Sequence, residues 1–310
     1  LIVGILISTT LFTGINVGSD IIATEALNDT LKDAKVDILA NVYKNLNSSN
    51  IVNLEGEMKG LECVKDVEPI FRKVYSMDNY SYPLTLFSLM GNSSFLKSLD
   101  VVEGKDTLGP NETWVEVGSM DLDLLKIGDN VTIDVGVYWS DGTIKKMKLT
   151  LRIVGYVHLP NDVLEASLGY FISPSVVSGY LRNLRYNLLL VNLNETVLPI
   201  LDRLYELKKS SEISILLKPI ALAVFLEREE IVSIYDVDYF LEKLVDLEYK
   251  LNLILSPYDG NSFNYIRIVV EGYRNFATLL NFSFMVSSLP VLLIAVISTK
   301  TAAEISFNLR

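Results

Sequence analysis

His158 is the only histidine in the chain and Cys63 the only cysteine. A structural or catalytic zinc site needs several nitrogen or sulfur donors, so neither a multi-histidine site nor a Cys/His cluster can be assembled. A single cysteine also excludes an internal disulfide. His158 closes a strand-like run beside Pro160 and reads as a polar rim residue rather than a general base. Cys63 is expected on a helix face with Leu61 and Val64, as buried filler. Carboxylates are plentiful, as at Glu227, Glu229 and Glu230, but such runs are usually solvated faces rather than the paired acids of a glycosidase. The chain has no GxSxG elbow and no Walker-type phosphate loop. No catalytic, cofactor-binding or metal-binding role is assigned to any residue, and the chain is not expected to be an enzyme.

The residues that do point to chemistry are asparagines. Asn-x-Ser/Thr occurs at Asn28, Asn47, Asn79, Asn92, Asn111, Asn130, Asn194 and Asn281. Composition alone gives about three such triplets, and the excess marks surface positions of an exported chain that meets a glycosylation system. Asn47, Asn79, Asn92, Asn111, Asn130 and Asn194 are the glycosylation candidates. Asn281 lies in an apolar run and is not expected to be modified. Heavy sequon use without disulfides suits an archaeal cell surface.

The elements that must carry these sites alternate in type. Val36 to Tyr43 is strand-like, Asn50 can cap a short helix through Cys63, and Asp66 to Tyr75 returns as a strand. Tyr82 to Met90 is a further strand and Ser94 to Leu99 a short helix. Trp114 to Val157 is rich in β pattern, with Asp141-Gly142 marking a hairpin turn. Gly169 to Ser173 and Tyr186 to Leu193 read as strands, and a helix starts at Asn194 or Thr196 and runs to Lys209. Ile213 to Phe225 reads as one strand. Val237 to Leu255 is an amphipathic helix, with apolar residues at 237, 240, 241, 244, 245 and 248. After the turn at Pro257 to Gly260, a helix is expected from Ser262 onward. The predicted class is α+β: a two-lobed domain over 33–261, a discontinuous βαβ-type lobe with a β-rich insert over about 114–183.

Both ends are apolar. Leu1 to Val17 and Phe276 to Ser298 contain no charged residue, and the mean hydropathy of the whole chain is +0.33. A helix of about 20 apolar residues spans a bilayer. Residues 1–32 are therefore read as a first transmembrane helix, truncated at its start, with a stalk, and 262–299 as a stalk and second transmembrane helix. A cleaved signal peptide is the alternative for the first run. Gly14 and Gly18 stand four apart and suit close helix packing. Pro290 frees a backbone carbonyl that a neighbouring helix can satisfy. Lys300 and Arg310 follow the second run, and basic flanks favour the cytoplasmic side. The middle would then lie outside the cytoplasm, in a multi-pass protein of the cell membrane in contact with lipid. Setting aside Asp20, Glu25, Lys300, Glu304 and Arg310 at the ends, 25 basic and 35 acidic side chains remain, a net of −10. Such a domain is a poor ligand for nucleic acid.

Three stretches carry a family resemblance. VEVGSMDLDLLKIGDNVTI (Val115 to Ile133) resembles the small helix and Gly-Asp turn into a strand found in MacB/FtsX-like ABC-transporter permeases. LRIVGYV (Leu151 to Val157) resembles the strand that answers it. SLPVLLIAVISTKTAAEISFNLR (Ser288 to Arg310) is similar to the family's second span and the start of its cytoplasmic loop. The order of span, large outer domain and span also fits, so the resemblance covers the whole chain.

The resemblance implies a mechanical role. A separate ABC-type ATPase subunit would close on ATP in the cytoplasm, and 300–310 would begin the loop that receives the motion. Ala302, Ile305 and Leu309 share one helical face and would contact the ATPase. The spans and stalks would pass the motion to the extracytoplasmic domain, for export or extraction of a substrate. A second permease copy, identical or paralogous, is the other expected partner. The alternative is a membrane-bound sensor whose outer domain binds a ligand.

Overall fold

The computed structural model describes residues 14, 21–22, 24–29, 31, 36–44, 46–75, 81–93, 95–96, 99–139, 144–160, 187–210, 213–214, 220–228 and 237–308. The chain divides into two units: 1–34, 232–244 and 266–310 form the first, 35–231 and 245–265 the second.

The second unit is built on one mixed sheet. β1 is Ile38–Val42, followed by α1 (Ser48–Lys59), β2 (Val64–Tyr75), β3 (Leu84–Leu89), β4 (Asp100–Gly104), β5 (Glu112–Glu116), β6 (Asn130–Trp139) and β7 (Ile144–His158). Then come β8 (Leu188–Asn192), α2 (Leu198–Ser210), β9 (Ile213–Ser214), β10 (Ile220–Leu226), α3 (Val237–Leu255), β11 (Asn261–Asn264) and α4 (Tyr265–Asn308). The strand order is β11-β1-β10-β2-β3-β8-β5-β7-β6-β9, with β4 pairing β7 off this path.

The mixed α+β class agrees with the sequence, and one sheet runs through both the part read as the main lobe and the described strands of the β-rich insert. β8 joins the two parts, parallel to β3 on one side and antiparallel to β5 on the other. Its residues Leu188, Leu189, Leu190 and Val191 are all buried, which is why it reads as an unbroken apolar run. The core around it includes Phe87, Trp114, Val157 and Leu190.

Four local expectations are corrected. Asn47, not Asn50, caps α1: its side chain accepts from the Asn50 N–H, and Asn50 answers as the reciprocal partner of a capping box. α1 ends at Lys59, so Cys63 lies beyond it in a left-handed turn with φ 67°. The Ile213 to Phe225 run is two strands: β9 pairs β6, whereas β10 lies between β1 and β2. Ser262 belongs to edge strand β11, where its N–H and hydroxyl both donate to Asn252 Oδ1, at 2.8 and 3.0 Å. The predicted turn at Asp141-Gly142 and the strand at Gly169 to Ser173 lie outside the described residues.

In the first unit, residues 24–29 are helical with Leu27 buried. α4 continues for 44 residues with Pro290 in its interior. Among the described residues Leu31, Phe240, Leu244, Ile266, Val270 and Tyr273 are the other buried apolar side chains of this unit's helices. Arg274 pairs with Asp238 at 3.0 Å. Among the described residues no helix is long and apolar enough to cross a membrane. The side chains at 284, 287, 288, 291, 292 and 295 of α4 lie outside the description. The first apolar run lies outside it too, except for Gly14.

Candidate functional site

Among the described residues no group of three or more His, Cys, Asp or Glu could hold a metal ion. His158 is exposed at the end of β7, with Nδ1 3.6 Å from Glu116 Oε1. Glu116 is buried, and its other oxygen accepts from the Leu159 N–H at 2.7 Å. The carboxylate thus ties β5 to the chain leaving β7. Glu68 is also buried, and accepts from the Ser93 hydroxyl.

A cavity of about 680 Å³ opens beside β3 and β8, lined by Leu89, Leu96, Leu99, Leu108, Trp114 and Asn192 among others. Several of its polar atoms already serve the fold. Asn192 Oδ1 accepts from the Asn194 and Glu195 N–H groups, and Nδ2 donates to the Leu108 carbonyl. Trp114 Nε1 donates to the Lys105 carbonyl at 2.7 Å. Glu112, which does not line the cavity, is held below the usual carboxylate range by the Lys105 ammonium at 2.6 Å, with help from the Gly109 N–H. These groups knit loops to strands and do not converge on a reacting centre.

The Gly-Asp turn predicted inside Val115 to Ile133 is built as a unit with the strand that answers it. A 3₁₀ turn, Leu122–Leu124, precedes it. Gly128 has φ 100°, a conformation open to glycine. Asp129 Oδ2 accepts from the Lys126 N–H at 2.8 Å, closing the turn. The Gly128 N–H donates to the Ile153 carbonyl and the Ile153 N–H to the Asp129 carbonyl, at 2.8 and 2.9 Å. The Tyr156 hydroxyl donates to the Leu125 carbonyl. Two of the three stretches singled out in the sequence therefore meet in space.

The third stretch lies on α4. Leu279, Phe282, Val286, Leu293 and Ile297 share one face, with Met285 and Val296 on the next, and all are exposed; Leu279 and Ile294 are each 65% exposed. Burying such a side chain stabilises by about 1.5–3 kcal/mol, so this surface demands an apolar cover. The helix does not stop at Thr301. Ala302 and Ile305 lie exposed in its last turns, and Leu309 falls outside the described residues. Gly14 is helical with open space where a Cβ would be, while Gly18 lies outside the description. Asn92, Asn111, Asn130 and Asn194 are exposed, Asn47 is half-buried as a helix cap, and Asn79 lies outside the described residues.

One cluster escaped the sequence. Asp37 is buried, its Oδ2 accepting from the Leu226 N–H and its Oδ1 from Arg228 Nε, both at 2.7 Å. Burial raises its carboxyl above the usual range, against the opposing pull of the Leu226 N–H and the Arg228 guanidinium. The only signal was an acid at the start of the strand pattern VDILANVY.

No protein-family model and no curated protein matches the chain. Among solved structures, the chain is similar to the periplasmic region of MacB from Actinobacillus actinomycetemcomitans, with 9% identity and a TM-score of 0.40, over 80% of this chain and 98% of that one. It is also similar to the extracellular domain of the noncanonic ABC-type transporter YknZ from Gram-positive bacteria, with 12% identity and a TM-score of 0.35, over 73% of this chain and 100% of that one.

Proposed function

We propose that this chain belongs to the permease subunit of an ABC transporter of the mechanotransmission type. The observation that carries the reading is α4. It starts at the edge of the sheet, where β11 ends, and runs unbroken to Asn308. At 1.5 Å per residue that is about 66 Å, against about 30 Å for the hydrocarbon core of a bilayer. Its exposed apolar surface between Phe276 and Ile297 has the composition lipid or neighbouring spans would cover. The sheet unit would then stand outside the cytoplasm, with glycans on the exposed sequons in a host that makes them. The first apolar run would be a second membrane helix, and a second permease copy would supply further helices.

In this mechanism a separate ATPase dimer closes on ATP beneath the membrane. It engages the chain through Ala302 and Ile305 at the end of α4 and through Leu309, which follows it in sequence, and the helix carries the displacement to the sheet unit. A stiff helix suits that task, because its hydrogen-bond ladder resists axial strain. The sheet unit then acts on a substrate outside, in export or extraction. The chain performs no catalysis itself.

The test is Ile305→Asp in the assembled permease. Purified with its ATPase, the variant is expected to insert and fold normally, yet to lose the ATPase from the complex or to uncouple hydrolysis from transport. Retention of the ATPase with full transport would reject the coupling face.

A further inference from the structure

β1 lies between β10 and β11 and is antiparallel to both. Its pairing with β11 runs from Ile38 opposite Asn264 to Asn41 opposite Asn261. Of the four places where the chain passes from one unit to the other, two, before Ile38 and after Asn264, lie at the same end of two neighbouring strands. A load applied to both connections acts on that end. It would peel the β1–β11 pairs apart one after another, starting at Ile38 and Asn264, rather than shear them all at once. Sequential peeling is the weaker geometry, because each ladder bond adds only about 0.5–1.5 kcal/mol net and bears the load in turn.

Asp37 occupies the point where that peeling would begin. Its carbonyl accepts from the Tyr265 N–H at 2.9 Å, one rung beyond the last strand pair and on the first residue of α4. Its own N–H donates to the Val224 carbonyl at 3.3 Å. Its two carboxylate oxygens take the Leu226 N–H and Arg228 Nε. One buried residue thus bonds the incoming chain to the departing helix and to the third strand. The side-chain bonds are charge-assisted, the stronger kind. On the far side of β11, Asn252 holds Ser262.

We propose that Asp37 is a positioning residue, a clasp that makes the start of β1, the start of α4 and the end of β10 move as one body, so that displacement of either connection is passed into the whole sheet. This rests on the permease reading above and adds the place where the load crosses into the sheet.

The experiment uses the full-length permease with its ATPase in lipid nanodiscs. A spin label is placed by Leu253→Cys, at an exposed position of the sheet unit, in each permease copy of a Cys63→Ser background, so that the separation read is that between the two sheet units. The label separation is measured with and without ATP. In the wild-type sequence ATP is expected to shift it. Asp37→Ala and Arg228→Met are expected to abolish the shift while ATP is still hydrolysed, and Arg228→Lys, which restores a cation, to recover it. Arg228→Met carries the test if Asp37→Ala does not fold. No shift in the wild type would overturn the permease reading. A wild-type shift kept in full by the folded variants, with only a lower melting temperature, would overturn the clasp alone.

Discussion

The Thr196 hydroxyl accepts a hydrogen bond from the Asn111 N–H at 3.1 Å, so two sequons share one contact. Thr196 is the third residue of the Asn194 sequon and is 2% exposed. Thr113, the third residue of the Asn111 sequon, is fully buried and donates to the Leu190 carbonyl at 3.0 Å. A transferase that must touch those hydroxyls can do so only before the chain folds. Thr132, in the Asn130 sequon, stays exposed. Treated with a glycosylating enzyme after folding, the chain should carry sugar at Asn130 and none at Asn111 or Asn194. Denatured first, it should carry sugar at all three. Mass spectrometry of the glycopeptides decides, and modification of Asn194 in the folded chain would refute the ordering. Thr196→Ala should also cost about 1 kcal/mol through the lost hydrogen bond, whereas Asn194→Gln should cost nothing measurable.

Gly155 should tolerate no side chain. It lies on β7 opposite Gly104 of β4 and Trp114 of β5. A Cβ there would stand 2.5 Å from the Glu103 carbonyl oxygen and 3.2 Å from the Trp114 ring. The first of these is backbone and cannot turn away. Gly155→Ala should therefore detach β4, lowering the urea midpoint and raising hydrogen exchange over Asp100 to Gly104 before the rest of the sheet. Unchanged exchange in that strand would show that the close approach is wrong.

Asp37 should leave a mark on the pH dependence of stability. Its folded carboxyl titrates above its ordinary 3.8 because burial outweighs the Leu226 and Arg228 contacts. Between those two values the folded state holds the proton more tightly than the unfolded chain. The contribution is therefore fully present below 3.8 and is lost as pH rises through the folded value. Compared with Asp37→Asn, the wild type should be relatively most stable at acid pH and lose ground toward neutrality. Parallel denaturant series across pH would show it, and a constant difference would contradict it.

Much of the sheet was legible because burial writes its own pattern. Tyr186 to Leu193 is apolar at nearly every position, and β8 is buried on both faces. Val237 to Leu255 repeats its apolar residues at helical spacing, and α3 has those bounds. Other features leave no such trace. Ile213 to Phe225 looks uniform, yet β9 and β10 find partners far apart in the sheet order, and periodicity carries no information about partners. β11 is a short polar edge strand, NSFN, set by its pairing with β1 and by Asn252 rather than by its own composition. Sequons are local and were found. Which of their hydroxyls are buried depends on contacts such as that of Thr196 with Asn111, 85 residues away. The Asp37 cluster was invisible for the same reason, since Arg228 lies 191 residues along the chain.

The position of β1 also sets a timetable. It is among the first strands to be synthesised, yet both its neighbours, β10 and β11, are among the last. Until Leu226 has been translated β1 presents two unsatisfied edges, and until Asn264 one, the form of backbone most prone to pair with the wrong chain. β3, β5, β7 and β8 can assemble in the meantime, because every strand they need precedes residue 193. The nascent chain should therefore pass through a stage with the centre of the sheet formed and its first strand waiting. That stage needs shelter from aggregation, and a ribosome stalled before Ile220 would hold it there.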